Sequence, residues 1–107
     1  MSIKTIMLVC SAGMSTSLLV TKMEKAANEK GLDAEIFAVA SSEADVKLEE
    51  KEIDVLLLGP QVRFMKNQFQ EKLADKNIPL DIINMQDYGM MDGKKVLAQA
   101  ERLMAGE

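Results

Sequence analysis

One cysteine stands at the end of an apolar segment near the start of the chain. Cys10 follows residues 6–9 and precedes seven small, hydroxyl-bearing or flexible residues: Ser11, Ala12, Gly13, Met14, Ser15, Thr16 and Ser17. A loop of this kind between a strand and a helix directs backbone N–H groups at one spot, and the helix N-terminus adds positive dipole character. Anions bind at such places, and a thiolate beside them is favoured. The segment therefore predicts a nucleophilic cysteine at the mouth of a phosphate-binding loop, where it accepts and carries a phosphoryl group.

Other interpretations of Cys10 remain open on the residues alone. A lone cysteine is commonly a small buried apolar residue, so a non-catalytic regulatory module with an inert Cys10 is one alternative. A low-molecular-weight tyrosine phosphatase is another, but its loop needs an Arg six positions after the cysteine to clamp the phosphate, and that position is Thr16. Hydrolysis is therefore predicted to be weak, so that a phosphocysteine would persist and could be passed on.

Two further phosphate-handling classes lack their required residues. A response-regulator receiver domain needs an Asp at the end of the third strand, where this chain has Leu58 and Gly59. A nucleotide P-loop needs Gly-x4-Gly-Lys-Ser/Thr, which the sequence does not contain. A phosphocarrier is the interpretation that no residue contradicts.

The composition excludes several other classes of function. The 107 residues include no His and one Cys, which excludes His-based triads, His-ligated zinc and a disulfide within the chain. We expect neither a metal nor an organic cofactor. A net charge of −4 and 4% aromatic residues argue against nucleic-acid binding. A lone thiol, with no signal peptide and no apolar segment of membrane-spanning length, predicts a cytoplasmic location.

Short apolar segments alternate with helical patterns along the chain, and these elements must position Cys10. Strands are predicted at residues 3–9, 34–39, 53–58 and 80–83, and helices at 15–30, 42–51, 62–73 and 93–104 with Asp92 as the last N-cap. Residues 85–91 are predicted as a loop or short helical turn. Alternation of this kind predicts an α/β fold: one domain over residues 1–107, with four parallel strands in the order 2-1-3-4 and helices on both faces. This sheet is flavodoxin-like and similar to that of low-molecular-weight tyrosine phosphatases.

In such a sheet, ligands bind beyond the carboxyl ends of the strands, where the strand order switches. That point lies between strands 1 and 3, and it brings the loop after Cys10 next to Gly59, Pro60 and Gln61. We expect a monomer, because no long exposed apolar stripe is left once the helices cover the sheet.

Three segments together resemble a known family. Residues 8–20 (LVCSAGMSTSLLV) are similar to the active-site segment of the IIB component of the bacterial phosphoenolpyruvate-dependent sugar phosphotransferase system, lactose/cellobiose class. Residues 55–62 (VLLLGPQV) resemble that family's second loop, and residues 88–93 (YGMMDG) resemble its C-terminal signature.

The resemblance implies a phosphotransferase with a phosphocysteine intermediate. Cys10 would accept a phosphoryl group from a histidine of a IIA component and give it to a disaccharide held by the membrane component IIC. Residues 11–17 would form the phosphate-binding loop, and the protein would meet the inner face of the membrane transiently through IIC. Cellobiose or chitobiose is the first expectation for the sugar, and lactose is the next.

Two residues outside the loop are further candidates for the site. The Gln61 amide could reach across the switch point to the phosphate or the incoming sugar, or it could simply be the polar residue that opens a helix after Pro60. Tyr88 could line the same mouth, or it could pack the last loop as a half-buried aromatic residue.

Overall fold

Continuous apolar segments form the four strands of one parallel sheet. The computed structural model describes residues 3–11 and 14–106, with Met14 and Ser15 described by their backbone alone. The strands are β1 (Lys4–Cys10), β2 (Ala34–Ala40), β3 (Val55–Leu58) and β4 (Leu80–Ile82). They pair in parallel in the order β2-β1-β3-β4. The predicted α/β fold and strand order are confirmed.

Helices follow the strands in the predicted alternation. They are α1 (Met14–Glu29), α2 (Ala44–Glu50), α3 (Lys66–Leu73), α4 (Met85–Gly89) and α5 (Gly93–Met104), with 3-10 turns at Ser41–Glu43 and Pro60–Met65. None of the helices within the described residues is long and apolar enough to cross a membrane.

The segment at residues 62–73 differs from the single helix that was predicted. A 3-10 segment, Pro60–Met65, precedes α3, and it is kinked at Val62, which has φ −115° and ψ 22°, outside the helical region. The apolar stripe is retained nevertheless, because Val62, Phe69 and Leu73 are all buried on the same side of the sheet. Two strands also begin later than predicted. β1 begins at Lys4 and leaves Ile3 exposed, and β3 begins at Val55 instead of residue 53.

The two faces of the sheet carry separate apolar cores. Successive residues of a strand point to opposite faces, so Ile6 and Leu8 pack with α1, α4 and α5, while Met7 and Val9 pack with α2 and α3. All four of these β1 side chains are fully buried. This is the burial that a parallel sheet covered on both faces requires, and it explains why β1 and β3 are uninterrupted apolar segments.

Helices α1 and α5 touch at the level of their backbones. A Cβ atom at Gly93 would lie 2.5 Å from the carbonyl carbon of Lys22 and 2.7 Å from its oxygen. Gly93 is the first residue of α5, and Asp92 caps that helix by accepting a hydrogen bond from the Lys95 N–H. The predicted N-cap is confirmed, and the absent side chain at Gly93 sets how closely the two helices approach.

Side chains satisfy backbone groups of β4 that the sheet itself leaves unpaired. The Ile82 N–H donates to Asp81 Oδ1 at 2.8 Å, and the Ile82 carbonyl accepts from Gln99 Nε2 at 2.8 Å. The Asn84 N–H, just beyond the strand, donates to Gln99 Oε1 at 3.1 Å. Gln99 belongs to α5, so this helix also holds the end of β4.

Candidate active site

Cys10 is the last residue of β1, at the carboxyl edge of the sheet between β2 and β3. Its thiol donates a 3.7 Å hydrogen bond to the carbonyl oxygen of Val39 in β2. Cys10 lies at the switch point, as expected. Its exposed fraction is only 2%, however, whereas the sequence predicts a thiol at the opening of the phosphate-binding loop. Residues 6, 8 and 10 share one face of β1, so the Cys10 side chain points to the face that α1 covers.

The N-terminus of α1 lies four residues after Cys10. This helix has 16 residues and no acidic residue in its first turn, so no side chain there offsets the positive end of its dipole. Ser11 is exposed. Ala12 and Gly13 lie outside the described residues, so the cradle formed by residues 11–17 stays a prediction.

Hydrogen bonds connect three side chains from distant parts of the sequence: Thr16, Tyr88 and Gln61. Thr16 Oγ1 lies 3.3 Å from Tyr88 Oη, and Gln61 Nε2 donates to Tyr88 Oη at 2.9 Å. Thr16 is completely buried and Tyr88 is 9% exposed. A hydroxyl buried to this extent is costly unless it is hydrogen-bonded, so the three side chains hold one another in place.

Gln61 lies across the ends of β1 and β3 because Gly59 leaves room for it. The Gly59 N–H donates to the Val9 carbonyl at 2.7 Å, which continues the pairing of β1 with β3 by one residue. A Cβ atom at Gly59 would lie 2.8 Å from Gln61 Oε1 and 3.7 Å from Cys10 Cβ. The amide of Gln61 and the side chain of Cys10 therefore both border the space beside Gly59.

Tyr88 is positioned by α4, the element predicted as a loop or short helical turn. The Asn84 side chain caps this five-residue helix by accepting from the N–H groups of Gln86 and Asp87, at 3.0 and 3.1 Å. Tyr88 packs in the same core as Ile6 and Leu8, on the face of β1 to which Cys10 also points. Thus α4 brings the Tyr88 hydroxyl to the first turn of α1.

The structure brings together three of the predicted site residues, Thr16, Gln61 and Tyr88, in an arrangement that the sequence does not predict. The sequence predicts Gln61 and Tyr88 either as contacts to phosphate or sugar or as structural residues, one opening a helix and one packing the last loop. In the structure they bond to each other, Tyr88 also bonds to Thr16, and Tyr88 is buried in the core. The missing side chain of Gly59 makes the room for Gln61, a role that no local sequence pattern indicates. In residues 3–11 and 14–106, no three Cys, Asp or Glu side chains cluster as a metal site would require.

Comparison with known proteins places the chain among sugar phosphotransferase components. Residues 5–99 match the family model described as the PTS system, Lactose/Cellobiose specific IIB subunit. The chain is 56% identical over 107 residues to the PTS system galactose-specific EIIB component of Lactococcus lactis subsp. cremoris. It is 55% identical over 107 residues to the PTS system cellobiose-specific EIIB component of Lactococcus lactis subsp. lactis. Each match covers 97% of this chain and 99% of the relative.

A third relative has a different sugar in its name. The PTS system oligo-beta-mannoside-specific EIIB component of Bacillus subtilis is 46% identical over 104 residues, covering 97% of this chain and 99% of the relative.

Solved structures show the same fold. The solution structure of the cellobiose-specific phosphotransferase IIB component from Borrelia burgdorferi is 43% identical, with a TM-score of 0.79 and coverage of 98% of this chain and 94% of that one. The lactose-specific IIB component domain from Streptococcus pneumoniae has a TM-score of 0.81, with coverage of 95% and 98%. At 15% identity, this second likeness concerns the fold alone.

Proposed function

Because the chain belongs to the lactose/cellobiose-specific IIB family of the phosphoenolpyruvate-dependent sugar phosphotransferase system, we propose that it is a phosphocarrier acting through Cys10. It takes a phosphoryl group from a phosphohistidine of a IIA component and passes it to a disaccharide bound by the membrane component IIC. Residues 1–107 act as one IIB domain, a cytoplasmic monomer that meets the inner face of the membrane only through IIC.

The observation that carries this proposal is the place of Cys10 in the fold. It ends β1 at the switch point of the sheet, four residues before the N-terminus of α1, whose first turn has no acidic side chain. A phosphoryl group on Cys10 Sγ would lie in the field of that N-terminus, which favours anions. Ser11, Ala12, Gly13, Met14, Ser15, Thr16 and Ser17 supply the N–H and hydroxyl groups of the proposed loop.

The first transfer forms a sulfur–phosphorus bond. The deprotonated Cys10 sulfur attacks the phosphorus of the partner's phosphohistidine, and the phosphorus–nitrogen bond of that histidine breaks. The leaving imidazole nitrogen takes up a proton, which balances the proton that the thiol has lost. The chain contains no His, so the donor imidazole has to come from another protein.

The second transfer regenerates the thiol. A hydroxyl oxygen of the sugar attacks the phosphorus, the sulfur–phosphorus bond breaks, and the sugar hydroxyl gives up its proton as Cys10 takes one up. The products are a sugar phosphate and the free Cys10 thiol, so neither a metal nor a cofactor is consumed.

Thr16 distinguishes this chemistry from that of a phosphatase. At the position where a low-molecular-weight phosphatase loop has its clamping Arg, this chain has a buried hydroxyl bonded to Tyr88. A single hydroxyl cannot form the paired charged hydrogen bonds that a guanidinium gives to phosphate. The proposed phosphocysteine is therefore less activated towards water and lives long enough to meet its acceptor.

The sugar we propose is a disaccharide, with cellobiose or chitobiose first and lactose next. The relatives at 56% and 55% identity are named for galactose and for cellobiose, and the one at 46% is named for oligo-beta-mannosides. Nearly equal identity thus accompanies different sugars, which agrees with a sugar choice made mainly by the membrane component.

Intact mass spectrometry tests the phosphocysteine directly. The native chain and Cys10→Ser are incubated with phosphoenolpyruvate, the upstream phosphotransferase proteins and a matching IIA. We expect one added phosphoryl group on the native chain and none on Cys10→Ser. The two proteins should give equal far-UV circular dichroism, because the substitution changes the volume little and replaces the thiol by a hydroxyl that can also donate to the Val39 carbonyl.

Two results would contradict the proposal. One is no added mass on the native chain while the IIA protein in the same mixture is shown to be phosphorylated. The other is rapid hydrolysis of an aryl phosphate that depends on Cys10, which would favour the phosphatase.

A further inference from the structure

We propose that Tyr88 and Gln61 are positioning residues that act on phosphoryl transfer through the hydroxyl of Thr16, rather than by touching the phosphoryl group or the sugar. This inference rests on the proposed function of Cys10 as the phosphoryl carrier. It names a relay of three side chains, Gln61 to Tyr88 to Thr16, that sets the direction in which the Thr16 O–H points.

The hydrogen bonds of the Tyr88 hydroxyl are the first argument. Its oxygen accepts from Gln61 Nε2 at 2.9 Å and lies 3.3 Å from Thr16 Oγ1, and the residue is 9% exposed. A buried hydroxyl already engaged on two sides is poorly placed to bind an incoming sugar. Its contribution to the reaction would reach the phosphoryl group through its neighbours.

The second argument is the direction of the hydrogen bonds in the relay. An amide N–H can only donate, so Gln61 fixes Tyr88 as acceptor on one side. Either hydroxyl of the Thr16–Tyr88 pair can be the donor. In the proposed relay the Tyr88 O–H donates to Thr16 Oγ1, which leaves the Thr16 O–H to donate to a phosphoryl oxygen on Cys10. Hydrogen bonds running in one direction strengthen each other in a low-dielectric interior. The last donor of such a chain is held ready for the charge that develops during transfer.

The location of Thr16 is the third argument. It lies in the first turn of α1, six residues after Cys10, and it is completely buried. Its partner Tyr88 packs with Ile6 and Leu8, on the face of β1 to which Cys10 points. The Thr16 hydroxyl and the Cys10 thiol therefore belong to the same side of the sheet at the same edge.

A double-mutant cycle tests whether Tyr88 acts through Thr16. The single-turnover rate constant for transfer from phosphorylated IIA is measured for the native chain, Tyr88→Phe, Thr16→Val and the double variant. Tyr88→Phe should slow transfer about 3- to 10-fold, the factor that corresponds to one hydrogen bond of ordinary strength. In the Thr16→Val background the same change should slow it by less than about 2-fold, because groups that act as a unit are not additive.

Two further measurements separate positioning from a merely structural role. Thr16→Ser keeps the hydroxyl and should retain the sensitivity to Tyr88→Phe that Thr16→Val abolishes. In steady state, Tyr88→Phe and Gln61→Met should lower kcat and leave the KM for phosphorylated IIA unchanged. Urea unfolding of each variant shows that the compared proteins are folded under the assay conditions.

The outcomes distinguish this inference from the function on which it depends. If the native chain accepts no phosphoryl group from a charged IIA, both proposals are wrong. If the native chain is phosphorylated but Tyr88→Phe slows transfer by the same factor in the native and the Thr16→Val backgrounds, only the relay is wrong. A raised KM with unchanged kcat in Tyr88→Phe would likewise overturn the relay and place Tyr88 in partner docking.

Discussion

At the scale of single residues, Gly59 has a role that is independent of backbone flexibility. Its φ of −63° is open to any residue, so conformation does not demand glycine there. Space does, because a Cβ atom would lie 2.8 Å from Gln61 Oε1, closer than nonbonded atoms approach. The side chain that would have to move is the one that bonds to Tyr88.

Gly59→Ala should therefore reduce phosphoryl transfer while changing stability little. The displaced atom is the far end of a flexible side chain, so we expect the free energy of unfolding to change by less than about 1 kcal/mol. Transfer from phosphorylated IIA should slow about 3- to 10-fold, as for loss of one hydrogen bond. The matched control is Gly59→Ala in the Gln61→Ala background, where the methyl group no longer meets the Gln61 amide and should slow transfer no further than Gln61→Ala alone. A Gly59→Ala protein that transfers at the native rate would contradict this assignment.

At the scale of elements, α4 is a five-residue helix that carries the hydroxyl of Tyr88 to α1. So short a helix has little stability of its own, and its start depends on the Asn84 cap. Its end depends on a turn in which Met91 adopts φ +52° and the Asp92 N–H donates to the Asp87 carbonyl at 2.9 Å. Loss of the cap would loosen the element that holds Tyr88.

Asn84→Ala should slow transfer more than a comparable loss of capping elsewhere. Asp92→Ala is the control, because it removes one N-cap hydrogen bond from α5 while α4 keeps its own cap. Each variant should lose about 1 kcal/mol of stability in urea unfolding. We expect the single-turnover transfer rate to fall clearly only for Asn84→Ala. Equal rates in the two variants would show that α4 does not position a functional group.

The sequence predicts the elements of this fold well and their side-chain contacts poorly. The continuous apolar strands, the Asp92 cap and the strand order follow from local patterns and chain connectivity. The kink at Val62 does not, because the apolar stripe of residues 62–73 is compatible with one uninterrupted helix. Two features depend on how α1 and α4 pack on the sheet. One is the burial of Cys10, and the other is the Thr16–Tyr88 hydrogen bond, which joins residues 72 positions apart. No local spacing encodes that packing.

At the scale of the whole molecule, the layer over one face of the sheet depends on the crossing of α1 and α5. Ala26, Ala27 and Ala100 are buried in this core, so small residues permit the close approach. At Gly93 the two helices are so close that even a methyl group has no room. The nearest atoms that it would meet belong to the backbone of Lys22, which cannot rotate away.

Gly93→Ala should consequently destabilise the protein by about 1–3 kcal/mol, the usual cost of overpacking. Gly89→Ala is the matched control, because a Cβ atom at Gly89 would meet nothing within 4 Å. Gly89 is the last residue of α4 and its φ is not positive, so alanine there should be neutral or stabilising by up to about 1 kcal/mol. Urea unfolding of both variants measures the difference. Equal stability of the two would contradict a backbone-limited contact between α1 and α5.

The hydrogen bonds around Ile82 have a consequence for behaviour at high protein concentration. An edge strand with unpaired N–H and C=O groups is a template onto which a strand of another molecule can add. At β4 the Asp81 carboxylate already occupies the Ile82 N–H, and the Gln99 amide occupies the Ile82 carbonyl. The same carboxylate lies 3.9 Å from Lys66 Nζ, so a charged pair borders this strand. A strand of another molecule could pair with β4 only after both bonds were broken. The two bonds therefore protect the β4 edge of the sheet against aggregation.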